Sequence, residues 1–161
     1  MSEDPANDSS LDAGCIPVPA KDEFPRTELI HLTYEGNFQL ECDATLLSCK
    51  VIGENMVELC LDRTTMHPQG GGQPTDIGII SSADTVVEIS KVLVDRTTGV
   101  VTHSGTVTKG DARLVADVVH VAVDPKERQI LSECHTAGHV VDAAMARCNR
   151  IMPPSKVRSV A

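Results

Sequence analysis

The stretch DRTTMHPQGGGQPTDIG, from Asp62 to Gly78, decides how the rest of this chain is read. Three consecutive glycines, Gly70, Gly71 and Gly72, lie between Pro68 and Pro74. Glycine reaches positive φ without steric cost and lets backbone come close to another group. Proline fixes φ and removes an N–H, so the two flanks are stiff. A loop of defined shape is expected, displaying His67, Gln69, Thr75 and Asp76. A phosphate cradle needs a Lys directly after such glycines, and none is there. A dinucleotide fingerprint opens a helix, whereas Pro74 and the Ile77–Ile80 run follow here. A plain long hairpin loop stays open, and residues outside the loop must decide.

Working outward, the flanks are β-like. Ile30–Tyr34, Phe38–Val51 and Met56–Asp62 precede the loop; Ile77–Ser81, Val86–Val94, Val100–His103 and Leu114–Val123 follow it. Turns are expected at Glu35–Asn37, Gly53–Asn55, Ser82–Asp84, Arg96–Gly99 and Lys109–Asp111. Short strands broken at such spacing suggest an antiparallel barrel or sandwich. With one Tyr, two Phe and no Trp in 161 residues, the core must be built from Val, Ile, Leu, Ala and Met. Residues 1–25 are acidic and Pro- and Ser-rich with little to bury, so they are expected to be disordered.

Composition excludes several classes. No apolar run approaches the ~20 residues that a membrane span needs, and the acidic start lacks a secretory h-region. The cytoplasm is the expected compartment. Six scattered cysteines without a C-x-x-C pair argue against a disulfide framework. Cys42, Cys49 and Cys60 read as small buried hydrophobes. The net charge of −9 disfavours nonspecific contact with a phosphate backbone. Only the segment after residue 124 is net basic.

Past Val123 the pattern changes. Asp124-Pro125-Lys126-Glu127 is a helix start, with Asp at N-cap, Pro at N1 and Glu at N3. Ile130, Leu131, Cys134, Ala137, Val141, Ala144, Met145 and Cys148 then recur at helical spacing, up to Asn149 and Pro153-Pro154. A break near Ser132–Thr136 is conceivable from the polar residues there. Within the helix, His135 and His139 are four residues apart and stack on one face. Two such imidazoles can bind one metal ion, or can simply be surface or packed histidines. Cys134 points about 100° away from His135 and is a poor third ligand. His31 and His120 read as surface or packed residues, and His103 as a strand end before a turn.

Both motifs, in this order and about seventy residues apart, resemble the editing domain of alanyl-tRNA synthetases and the free-standing alanyl-tRNA editing proteins. The matching residues are Leu61–Thr64, His67–Pro74, Asp76, Gly78, Val101–His103, Val123-Asp124 and His135–His139. The resemblance implies hydrolysis of mischarged tRNA(Ala), carrying serine or glycine, in a zinc-dependent site. It makes His135 and His139 metal ligands. Thr64, His67, Gln69, Gly70, Gly71, Gly72 and Gln73 become substrate-binding residues; no catalytic residue is singled out. The glycines would form a wall between barrel and helix, packed closely through their lack of side chains.

The implied fold is α+β: a β-barrel over 26–123, then a long helix over 124–161 that begins an incomplete α/β editing domain. The family's second zinc motif, C-x-x-x-H, does not occur before Ala161. The chain is therefore expected to be truncated, with two of the expected zinc ligands. The alternative is a non-catalytic relative that binds tRNA or a protein. A protein partner, or a second copy, is expected on the uncovered helix face.

Overall fold

The computed structural model describes residues 24–112 and 117–150. The disorder expected of residues 1–25 lies almost wholly outside those residues, as does the Pro153-Pro154 end of the helix. The strands are β1 (Glu28–Leu29), β2 (Glu41–Val51), β3 (Met56–Leu61), β4 (Arg63–Thr64), β5 (Gly78–Ser81), β6 (Val86–Val94), β7 (Val101–Lys109) and β8 (Val118–Val123). One helix, α1 (Pro125–Arg147), follows. Six strands close into an antiparallel barrel in the order β2-β3-β7-β6-β5-β8. β1 and β4 form a separate parallel pair.

Alternation explains which side faces in. Val119, Val121 and Val123 are buried while Val118 and His120 face out. Val57, Leu59 and Leu61 of β3 meet Ile80, Val87, Ile89, Val92 and Val101 in the same core. In β6 strict alternation would turn Lys91 inward after Val87 and Ile89. A register shift between Ile89 and Lys91 prevents this, and Val92 takes the inward place. Removing a fully enclosed member such as Leu59 by substitution to Ala would cost about 2–5 kcal/mol.

Several sequence expectations need correction. Ile30–Tyr34 is not a strand: Ile30–Leu32 and Gly36–Phe38 form two short 3-10 turns. His103 does not end a strand, because β7 runs on through Gly105 to Lys109. A Cβ at Gly105 would stand 2.3 Å from the Glu88 carbonyl oxygen, so the glycine marks close strand packing and not a turn. Of the cysteines, Cys60 is buried while Cys42 and Cys49 are half-buried.

Helix α1 is unbroken through Ser132–Thr136. Its start is as the sequence indicates: the Asp124 carboxylate accepts from the Lys126 and Glu127 amides at 2.9 Å each. Its apolar face is exposed, Val140 and Val141 included, and Arg128 is its one buried residue. No helix among the described residues is long and apolar enough to cross a membrane.

Candidate functional site

The glycine stretch folds as a tight turn on a rigid stem. Gly70 and Gln73 exchange two backbone hydrogen bonds, at 3.2 and 2.9 Å. Gly71 and Gly72, between them, have φ of +60° and +89°. Two successive positive φ values suit glycine and disfavour other residues. Among the described residues nothing lies within 4 Å of a Cβ built on either.

Below the turn, the Gln69 amide donates to the Val92 carbonyl at 3.0 Å. The Val92 amide donates in turn to the Thr75 hydroxyl at 2.8 Å. His67 and Asp76 close the stem, with Asp76 N–H donating to the His67 carbonyl at 3.1 Å. The His67 N–H donates to Asp76 Oδ2 at 2.6 Å.

Asp76, expected on display, is instead fully enclosed. Its carboxylate takes the guanidinium of Arg128, whose Nε lies 3.1 and 3.0 Å from the two oxygens and whose Nη2 also donates to Oδ2. The same Nη2 donates to the Thr65 carbonyl at 2.7 Å. A buried charge is tolerable only when paired and hydrogen-bonded, and here both conditions hold. One bridge thus ties the stem of the glycine turn to the first turns of α1. Sequence reasoning missed Arg128, although a signal was present. A cation near a helix N-terminus opposes the helix dipole and implies a partner.

Further along α1, His135 and His139 are exposed, and their Nε2 atoms converge to 2.9 Å. Two nitrogens on a tetrahedral zinc, with bonds of about 2.0–2.1 Å, stand about 3.3 Å apart. A slight opening of the pair would therefore admit an ion, and the residues fit two of its ligands. Among the described residues no group of three or more His, Cys, Asp or Glu side chains forms a metal cluster. Cys134 is exposed.

Two further histidines, apart in sequence, come together beside the glycine turn. The rings of His31 and His67 lie 4.8 Å apart, centroid to centroid. Among the described residues neither of their Nδ1 atoms, both buried, has a hydrogen-bond partner. Burial lowers the pKa of His31 to about 4, and His67 and Arg128 push it the same way. Burial lowers His67 as well; Asp76 opposes this, and His135 is near enough to lower it further.

The remaining site residues separate by depth. Gln69 is exposed, Gln73 is half-buried, and Thr64 is fully buried. The Thr64 hydroxyl accepts from the Met66 amide at 3.1 Å and lies 3.0 Å from His103 Nε2. His103 Nδ1 is 3.4 Å from the Leu59 carbonyl, an acceptor only, so the proton sits on Nδ1 and Thr64 donates to Nε2.

Comparison with known proteins bears on this arrangement. Residues 19–127 match the family model of tRNA synthetases class II (A). The chain is 33% identical over 126 residues to the alanine–tRNA ligase of Methanococcus aeolicus, covering 78% of this chain and 12% of that protein. It is 32% identical to that of Natronomonas pharaonis, with 76% and 13% covered. For the Methanosarcina acetivorans ligase the figures are 35%, 69% and 11%. The chain thus spans only about an eighth of the length of these relatives. Even so, the match takes in the glycine turn, Asp76 and the start of α1, and on that ground the chain belongs to the class II (A) tRNA synthetase family, related to the alanyl-tRNA synthetases.

Proposed function

We propose that this domain hydrolyses, in the cytoplasm, the ester joining a wrong amino acid, serine or glycine, to tRNA(Ala). The observation that supports it best is the Asp76–Arg128 bridge. It couples the stem of the glycine turn to the helix on which the His135 and His139 nitrogens converge. The kinship with alanine–tRNA ligases supports the choice of tRNA.

Zinc is the cofactor of this reading, held by His135 and His139. When bound, such an ion polarises an ester carbonyl and lowers the pKa of water. The chain's own groups do the rest. Gln69 and Gln73 offer amides that orient the aminoacyl end, and His67 offers a neutral imidazole beside them. Gly70, Gly71 and Gly72 keep side chains out of the ester's way. Thr64 can distinguish a seryl hydroxyl only by exchanging its bond to His103 for one to the ligand.

The test is deacylation of seryl-tRNA(Ala) by the chain, with zinc and after chelation. His135→Ala and His139→Ala should each slow it by on the order of a hundredfold, the usual scale for losing an electrostatic stabiliser. Unchanged rates would overturn the reading. A second reading, a non-catalytic module binding tRNA or protein, is favoured by the exposed Ile130, Val140 and Val141 on α1. It predicts binding of tRNA(Ala) or a protein without deacylation under either condition.

A further inference from the structure

Among the described residues nothing covers α1 from Ser132 to Ala144, where every residue is exposed. Helices in proteins owe most of their stability to packing an apolar face. Gly138, Val140 and Val141, in the middle of this segment, are poor helix formers. The segment therefore needs a partner, and Ile130, Val140 and Val141 stand 42%, 63% and 59% exposed along it.

The spacing of the apolar residues says what kind. Ile130, Cys134, Ala137, Val141, Ala144 and Cys148 alternate steps of four and three, the repeat of a two-helix seam. Glu133, Val140 and Arg147 line one flank of that seam; Leu131, Gly138 and Met145 line the other. The Glu133 carboxylate accepts from Gln129 Nε2 on the same helix at 2.8 Å, which steadies it on its flank.

The first flank identifies the occupant. Glu133 and Arg147 lie equally far from Val140, one on each side. Where two identical helices pair antiparallel, like flanks meet, and residues equidistant from the two-fold axis face each other. An axis at Val140 sets Glu133 of each copy opposite Arg147 of the other. The same register places Val141 on Ala137, Cys134 on Ala144 and Cys148 on Ile130. On the second flank Leu131 meets Met145, and Gly138 meets Gly138, where nothing described lies within 4 Å of a Cβ. A parallel pair would set Glu133 opposite Gly138 and form no such ion pair.

We propose that α1 is a homodimer interface, in which two copies of this chain pair antiparallel about a two-fold axis at Val140. An apolar seam and two Glu133–Arg147 ion pairs hold it. A seam this short, with Ala at two positions, buries an area at the low end for specific contacts, so the dimer is reversible. His135 and His139 point about 140° and 180° away from the middle of the seam. Pairing therefore leaves them open, and it is independent of the hydrolase reading.

Sedimentation equilibrium of the full chain over a concentration series should show a reversible monomer–dimer equilibrium. Glu133→Arg and Arg147→Glu each turn two attractions into two repulsions and should weaken the dimer about tenfold. The double variant restores both pairs with their signs exchanged and should recover the wild-type constant. On oxidation, Ala144→Cys should bridge position 144 of one copy to Cys134 of the other. Within one helix those positions are about 15 Å apart, too far for a disulfide. A monomer at every concentration would overturn the proposal, as would a double variant no tighter than the single ones. A bridge from Cys134 to Cys134 in place of the expected one would overturn it in favour of a parallel pair.

Discussion

Thr64 and His103 form a relay inside the barrel: Met66 N–H to the Thr64 hydroxyl, that hydroxyl to His103 Nε2, and His103 Nδ1–H to the Leu59 carbonyl. Thr64→Val keeps the shape but leaves both the Met66 amide and His103 Nε2 unpaired in a buried place. Each unmet group costs about 1–3 kcal/mol, so the variant should be destabilised by a few kcal/mol, with Thr64→Ser much closer to wild type. Urea unfolding of the three proteins checks this; equal stability of Thr64→Val would mean that the relay carries no energy. At this scale the sequence was partly legible. Thr64 stood out through its motif, whereas its partner lies 39 positions away, across a pairing of β3 with β7 that only the closed barrel fixes. Likewise His31 and His67 looked unrelated until the turn at Ile30–Leu32 brought their rings together.

Among the elements, α1 was the most legible, because a capping carboxylate, a Pro at N1 and a 3.6-residue period are all local signals. What periodicity could not tell is what the helix rests on. Among the described residues it is held to the barrel at its start, by Arg128 on Asp76 and the Thr65 carbonyl and by the Asp124 amide on the Ile77 carbonyl, and the apolar stripe beyond is exposed. Breaking one side of a buried pair strands the other charge, a loss of about 3–5 kcal/mol. Arg128→Met and Asp76→Leu should therefore each be strongly destabilising, and the double variant less so than the sum of the two. Hydrogen exchange gives the sharper readout: α1 amides should lose protection in Arg128→Met before those of β3 and β7 do. Uniform loss across barrel and helix would show that the bridge supports the whole fold and not the helix position. The glycine turn teaches the complementary lesson. Its residues announced a shaped loop, but the hairpin closed by Gly70 and Gln73 depends on φ, and among the described residues nothing lies within 4 Å of a Cβ built on Gly71 or Gly72.

For the molecule as a whole, alternation in β6 and β8 made antiparallel sheet plain, but barrel and sandwich share that pattern. Closure is decided by β2 pairing with both β3 and β8, a long-range fact with no local signature. Closure also buries His103, while His31 is buried outside the barrel against His67. Burial lowers His103 and His31 to about 4 from an ordinary 6.5. The sign follows from proton counting. Between pH 6.5 and 4 the unfolded chain binds protons at these positions that the folded chain refuses. Their contribution to stability is therefore complete above pH 6.5, declines as the pH falls, and levels off below about 4. For the fully buried His103 the swing is on the order of 3 kcal/mol. Urea unfolding at pH 7, 5.5 and 4.5 should show stability falling with acid. His103→Met should be less stable than wild type at pH 7, yet lose less stability between pH 7 and 4.5. By NMR the His103 ring should keep its neutral form throughout and titrate near pH 4. An unchanged pH slope in His103→Met, or a ring that titrates near 6.5, would mean that the barrel interior does not hold this histidine neutral.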